Sequence, residues 1–331
     1  MVKKPEKEEV LKSGWVYKLK TNPQGEVKRF KARFIVKGYS QREGIDYKET
    51  FSPVARYETI RMMLAIAAAQ GLDIIQFDVA TAFLNSTLSE DIYMQQPQGY
   101  ERGDPSEIVC KLKKGLYGHK QASREWYVTL TKKLNKMGFK AVTSDPCLFV
   151  KTDEDEENPI YIVIYVDDGM IIGRNLDELN AELEELQKSF KLSIQPLTRF
   201  LGIEIKRTQN GIFIHQHKYT VDLLKRFNMS ECKTLDVPMQ PGLHLEGSIP
   251  VDMQYPYQEL IGSLLFLVRC TRPDIAYAVH YLSRYFTSYD KTCWMAAKKI
   301  LQYLQGTMDL GIFYRHEPNK IPKIFGYVDA D

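Results

Sequence analysis

Three things are scarce in this chain of 331 residues, and each scarcity closes off a class of protein. Cysteine occurs five times, at positions 110, 147, 232, 270 and 293. The number is odd, the spacing is wide and no C-x-x-C pair occurs. Neither a disulfide framework nor a zinc site is expected, and the thiols read as reduced, in an intracellular setting. No apolar run reaches the roughly 20 residues of a membrane span; the run over 160–166 is short and leads into two acids. The opening ten residues are rich in Lys and Glu and contain no apolar h-region, so no secretory signal is expected. An excess of one charge is missing too. Forty-five Lys and Arg stand against 42 Asp and Glu, a net charge of +3 that alone would not suggest a nucleic-acid partner. Core material is plentiful: 44% of residues are apolar, enough for about two domains or one domain with subdomains.

Periodicity supplies the elements. Residues 1–14 are charged and expected to be disordered. Residues 15–37 alternate through Trp15, Tyr17 and Leu19, then Phe30, Phe34 and Val36. With Asn22-Pro23-Gln24-Gly25 between them, these read as two strands and a turn. Residues 59–70 (TIRMMLAIAAAQ) read as a helix closed by Gly71, and 72–79 (LDIIQFDV) as a strand. A helix over 123–137 is stopped by Gly138. Residues 160–172 read as a hairpin with Asp167-Asp168-Gly169 at its tip, preceded by an acidic run at 153–157 that suits a solvated loop. The stripe Leu176, Leu179, Leu183, Leu186 and Phe190 predicts a helix with one core-facing side, begun by a capping box at Asn175 and Glu178. Short strands at 201–205 and 212–215 and a helix at 219–227 follow. A Pro- and Gly-bearing loop spans 237–256. Helices are expected over 257–285 and 293–306, and a strand opens near residue 324.

The chemistry gathers on three acids. Tyr165-Val166-Asp167-Asp168 lies between the apolar runs IYIVI and MIIG. Asp-Gly is a common hairpin turn, so the acids alone could be turn residues. The flanks, however, are apolar on both faces, which buries the hairpin. Two adjacent carboxylates there repel each other and resist desolvation. A divalent cation, which seeks oxygen ligands, would relieve that cost. Asp78 ends the apolar strand LDIIQFDV in a matching context. An acid at a strand end beside a two-acid hairpin is the ligand set of a two-metal phosphoryl-transfer site.

Charge is patterned to match. Residues 26–37 carry Lys28, Arg29, Lys31, Arg33 and Lys37 against one Glu. Residues 111–140 carry nine Lys or Arg against one Glu, interleaved with Tyr117, Trp126, Tyr127 and Phe139. Basic residues among aromatics suit phosphate contact and base stacking.

Five ordered segments carry a resemblance: KARFIVKGYSQREGIDYKETFSPVARYETIR (31–61), FDVATAFLN (77–85), KKGLYGHKQASREWY (113–127), YVDD (165–168) and FLGIEI (200–205). Together they resemble the reverse transcriptase region of a copia-type LTR retrotransposon Pol polyprotein, Pseudoviridae-like, over nearly the whole chain. The resemblance implies an α+β right-hand polymerase fold with fingers, a palm of antiparallel sheet and helices, and a thumb. A connection region and the first strand of an RNase H-like domain would follow. Its bounds would be fingers and palm at 15–206, a thumb-like segment at 207–245, connection at 246–322 and the truncated RNase H start at 323–331.

The resemblance also implies roles. Asp78, Asp167 and Asp168 become catalytic metal ligands, joined by the backbone carbonyl of Val79, for two Mg2+ ions that Mn2+ could replace. Lys31 and Arg33 would meet the incoming triphosphate. Phe83 would crowd a ribose 2′-hydroxyl and favour dNTPs. Tyr117, Gly118 and Gln121 would line the nucleotide and template side. Asp329 would be the first acid of the truncated RNase H domain, so RNase H activity is not expected from this chain alone. The implied partners are an RNA template, a DNA or tRNA-like primer, dNTPs and the other Pol domains, RNase H and integrase. No membrane is involved, and the implied location is cytoplasmic virus-like particles. Two positions depart from the usual LYGLKQAPR pattern: His119 replaces Leu and Ser123 replaces Pro. The rival readings are a nucleic-acid-binding relic without catalysis and an RNA-dependent RNA polymerase, against which Phe83 argues.

Overall fold

The computed structural model describes every residue except 7, 22–25, 45, 89, 153–157, 246–254, 319–324 and 329–331. The expected turn at 22–25, the acidic run at 153–157 and Asp329 lie outside the described residues. The fold is α+β and divides into two compact units, Met1–Ala55 with Ile75–Gln195, and Arg56–Ile74 with Pro196–Asp331. This division cuts across the linear bounds read from the sequence.

A six-stranded sheet centres the first unit. Its strands run in the order Leu192–Gln195, Asp73–Val79, Asp168–Gly173, Ile160–Tyr165, Asp145–Lys151 and Lys140–Val142. The two strands at its middle are apolar at nearly every position because both their faces are covered: Ile160, Ile162, Val163, Ile164, Met170, Ile171 and Ile172 are all buried. Helices Ala122–Lys136 and Leu176–Gln187 pack Trp126, Leu130, Leu134, Leu179, Leu183 and Leu186 onto Phe77, Phe149, Ile162 and Ile164. The second of these helices begins as a variant of the expected capping box. The Asn175 side-chain oxygen Oδ1 accepts from the Asp177 N–H at 3.0 Å, and the side-chain amide Nδ2 donates to the Glu178 carboxylate at 3.1 Å. Strands Ser13–Thr21 and Val27–Val36 pair as the alternation predicted, with Trp15 opposite Phe34 and Lys18 opposite Lys31. The first fourteen residues are not disordered where described. Val2–Lys3 pairs with Ile108–Val109, Val10–Leu11 runs parallel to Tyr93–Met94, and Leu11 is buried. A few apolar residues in a charged stretch suffice to dock it.

The second unit holds helix Tyr57–Gln70, ended by Gly71 in the left-handed conformation, and a sheet in the order Arg199–Phe200, Ile203–Thr208, Gly211–His215, Gly311–Arg315. Helices His217–Arg226, Tyr257–Cys270, Ala276–Ser283 and Lys291–Gly306 enclose a core that includes Leu224, Leu260, Leu264, Val279, Ile300 and Leu304. The single helix expected over 257–285 is two helices. Pro273 disfavours helical backbone at Arg272, and the chain turns there. Arg272, 2% exposed, binds the Asp274 carboxylate at 2.7 Å and the Thr307 carbonyl at 2.9 Å.

Candidate active site

Asp78 is the sixth residue of strand Asp73–Val79, which lies directly beside strand Asp168–Gly173. The hairpin carrying Asp167 and Asp168 turns two residues earlier than its Asp-Gly pair suggested. Tyr165 pairs with Asp168, so the turn consists of Val166 and Asp167. Gly169 sits in the strand, where a Cβ would collide with the Phe77 ring. The glycine is needed for that close approach and not for the bend. Val166 takes φ 58°, a left-handed backbone in a β-branched residue, and stores strain at the tip. The turn is tied to the neighbouring strand by the Val79 N–H, which donates to the Asp167 carbonyl at 2.8 Å.

The three carboxylates feel one another. Burial, then Asp167 and Asp78, push the Asp168 carboxyl up to about 6. Burial and Asp167 also raise Asp78, opposed by Lys31 and Lys20. Lys31 in turn is lowered, by desolvation first and by Arg33, Lys20 and Arg29 after it, with Asp78 pulling the other way. Among the described residues no three acidic, His or Cys side chains close into a preformed metal cluster. The acids form an all-oxygen set held in mutual repulsion, the chemistry a hard divalent cation satisfies.

An aromatic and basic wall adjoins them. Phe83 meets Tyr117 edge-on at 4.9 Å, and the Arg33 guanidinium lies over the Tyr117 ring at 5.2 Å. The Tyr117 hydroxyl is raised by burial and by Asp167, so this wall stands within the field of the acids. Lys31, Arg33, Phe83 and Tyr117 therefore come together around Asp78 and Asp167.

A sequence profile of the family described as reverse transcriptase (RNA-dependent DNA polymerase) matches residues 1–241. The chain belongs to this family. It is similar to the retrovirus-related Pol polyprotein from transposon TNT 1-94 of Nicotiana tabacum, 38% identical over all of this chain and 26% of that protein. It is also similar to the Pol polyprotein from transposon RE2 of Arabidopsis thaliana, 41% identical over 96% of this chain and 22% of that protein. A putative transposon Ty5-1 protein of Saccharomyces cerevisiae is 31% identical over 72% of this chain and 78% of its own length. The chain spans about a quarter of the length of the two plant polyproteins, and it is a reverse transcriptase region of the copia type.

In this reverse transcriptase region, Gly118 and Gln121 sit in a clamp. Gly118, at φ 87°, packs so closely on strand Val27–Val36 that a Cβ would strike the Val36 carbonyl, and a Cβ on Gly38 would strike the Gly118 carbonyl. Gln121 is buried; its carbonyl accepts from the Gln41 amide at 3.0 Å and its amide donates to the Asp46 carbonyl at 3.0 Å. The Gln41 side-chain carbonyl accepts from the Lys120 N–H at 2.9 Å. Sequence reasoning missed Gln41, which lies within residues 31–61, a segment read only for its resemblance. Asp329 is outside the described residues, and among the described residues no helix is long and apolar enough to cross a membrane.

Proposed function

We propose that this chain is the RNA-directed DNA polymerase of a copia-type element, adding dNTPs to a DNA or tRNA-like primer on an RNA template. The observation that carries the reading is the meeting of Asp78 and Asp168, on adjoining strands, with Asp167 in the turn between strands and Lys31 in the field of Asp78. Asp78, Asp167, Asp168 and the Val79 carbonyl are the groups that would hold two Mg2+ ions, or Mn2+ in their place. Bound metal supplies acidity to the primer hydroxyl and neutralises the charge of leaving pyrophosphate. The chain's own residues do the rest. Lys31 and Arg33 hold the triphosphate, the Tyr117 ring backs Arg33, and Phe83 leaves no room for a 2′-hydroxyl. Gln121 and Gly118 fix the loop that carries Tyr117.

On this reading the six-stranded sheet and its two helices form the palm of a right hand, and the hairpin of Ser13–Thr21 and Val27–Val36 belongs to the fingers. Residues 207–245 are assigned to a thumb, 246–322 to a connection and 323–331 to the start of RNase H. The other Pol domains, RNase H and integrase, are its proposed partners, and cytoplasmic virus-like particles its proposed setting.

Primer extension on an RNA template with dNTPs and magnesium tests this, with Asp167→Asn/Asp168→Asn as the control. Extension by the natural chain alone is expected. Binding of primer–template without extension by either protein would point to a nucleic-acid-binding relic.

A further inference from the structure

The two residues of the catalytic turn are each held from outside the hairpin. Asp167 is held through its carbonyl by the Val79 N–H. Val166 is held through its carbonyl by the indole Nε1–H of Trp126, at 2.6 Å. The donor is as fixed as a side chain can be. Trp126 is 1% exposed, rides on helix Ala122–Lys136 and packs edge-on against Phe190 at 5.0 Å. The donor is buried and Val166 half-buried, and a hydrogen bond partly shielded from water is worth more than an exposed one. Its acceptor is the residue that most needs holding, because a β-branched side chain at φ 58° crowds its own backbone.

We propose that Trp126 is a positioning residue for the catalytic turn, whose indole N–H keeps Val166 in its left-handed conformation and so aims Asp167 and Asp168. The inference rests on the reading of those two acids as catalytic. The turn is bound on one side to the strand bearing Asp78 and on the other to the helix. Releasing the helix side lets the tip relax toward turn types that Val166 adopts without strain, and the two carboxylates move away from Asp78. Small displacements of reacting groups are costly, on the order of a hundredfold in rate for about 1 Å.

The test replaces the N–H and nothing else. A tryptophan analogue with sulfur in place of the indole nitrogen (3-benzothienylalanine) is introduced at position 126 in the full chain, beside Trp126→Phe. Both are expected to lower kcat by roughly tenfold or more, with KM for dNTP and primer–template affinity changed by less than about threefold. Glycine adopts positive φ without cost. Val166→Gly in the Trp126→Phe background is therefore expected to restore part of kcat, which repair of mere packing could not do. Full kcat with the analogue, or a loss that follows thermal destabilisation and is not rescued by Val166→Gly, would overturn the positioning role. A readout independent of activity separates this from the polymerase reading. The Trp126 indole 15N–1H resonance is expected to exchange slowly with solvent, and rapid exchange would overturn the hydrogen bond itself. An inactive natural chain with a protected indole would instead sink the polymerase reading and leave the hydrogen bond standing.

Discussion

At His119 the chain buries an imidazole, 5% exposed, with no hydrogen-bond partner for either nitrogen among the described residues. Burial holds its pKa down, from 6.5 to about 4, with Glu90 pulling only weakly the other way. The native state refuses a proton that the unfolded chain accepts. Stability is therefore complete above pH 6.5 and drains away as pH falls toward 4, by about 3 kcal/mol in all. His119→Leu removes both penalties. It should raise stability at pH 7.5 by roughly 1–3 kcal/mol and flatten the acid limb, as urea denaturation at stepped pH will show. On the proposed polymerase reading, Phe83 is the residue that would select the sugar. Phe83→Ala should raise ribonucleotide incorporation relative to deoxyribonucleotide on the order of tenfold or more, and unchanged selectivity in competition assays would remove Phe83 from that role.

At the scale of elements, the hairpin carrying Asp167 and Asp168 depends on a glycine for packing. Gly169→Ala sets a methyl against the Phe77 ring, which is buried beneath the sheet and cannot retreat. A loss of roughly 1–3 kcal/mol is expected in chemical denaturation. The sequence announced this hairpin through its apolar flanks but misplaced its tip. Asp-Gly is a turn signal by backbone preference, and only the position of Phe77 on another strand reveals the glycine's actual use. The leucine stripe of helix Leu176–Gln187 and the alternation from Trp15 to Val36 were legible because one-sided burial writes a period into the chain. Strands Lys140–Val142, Asp145–Lys151 and Gly311–Arg315 went unread, since short strands with mixed burial carry little periodicity. The break at Arg272-Pro273 was legible in principle, yet the apolar pattern runs straight through it. The acids, Lys31, Arg33, Phe83 and Tyr117, all named from sequence as candidates, lie near one another. Gln41 was not named, because its contacts lie some 80 residues away.

For the whole molecule, binding and chemistry should separate. Asp167→Asn is expected to abolish extension and leave primer–template affinity within about threefold, because affinity comes mainly from phosphate contacts spread over basic segments. The same argument predicts a steep salt response. If six or more phosphates are contacted, affinity should fall roughly a thousandfold between 50 and 200 mM salt in a fluorescence-anisotropy titration; a flat response would remove residues 26–37 and 111–140 as the template surface. Gly38 and Gly118 carry a consequence of another kind. Each leaves room for a backbone carbonyl, that of Gly118 in one case and of Val36 in the other. A carbonyl cannot be mutated to a smaller group, so no second substitution repairs the loss of either glycine. As copies of such an element drift, covariation has nothing to act on at these two positions, and a first change at either one costs stability that no partner change recovers.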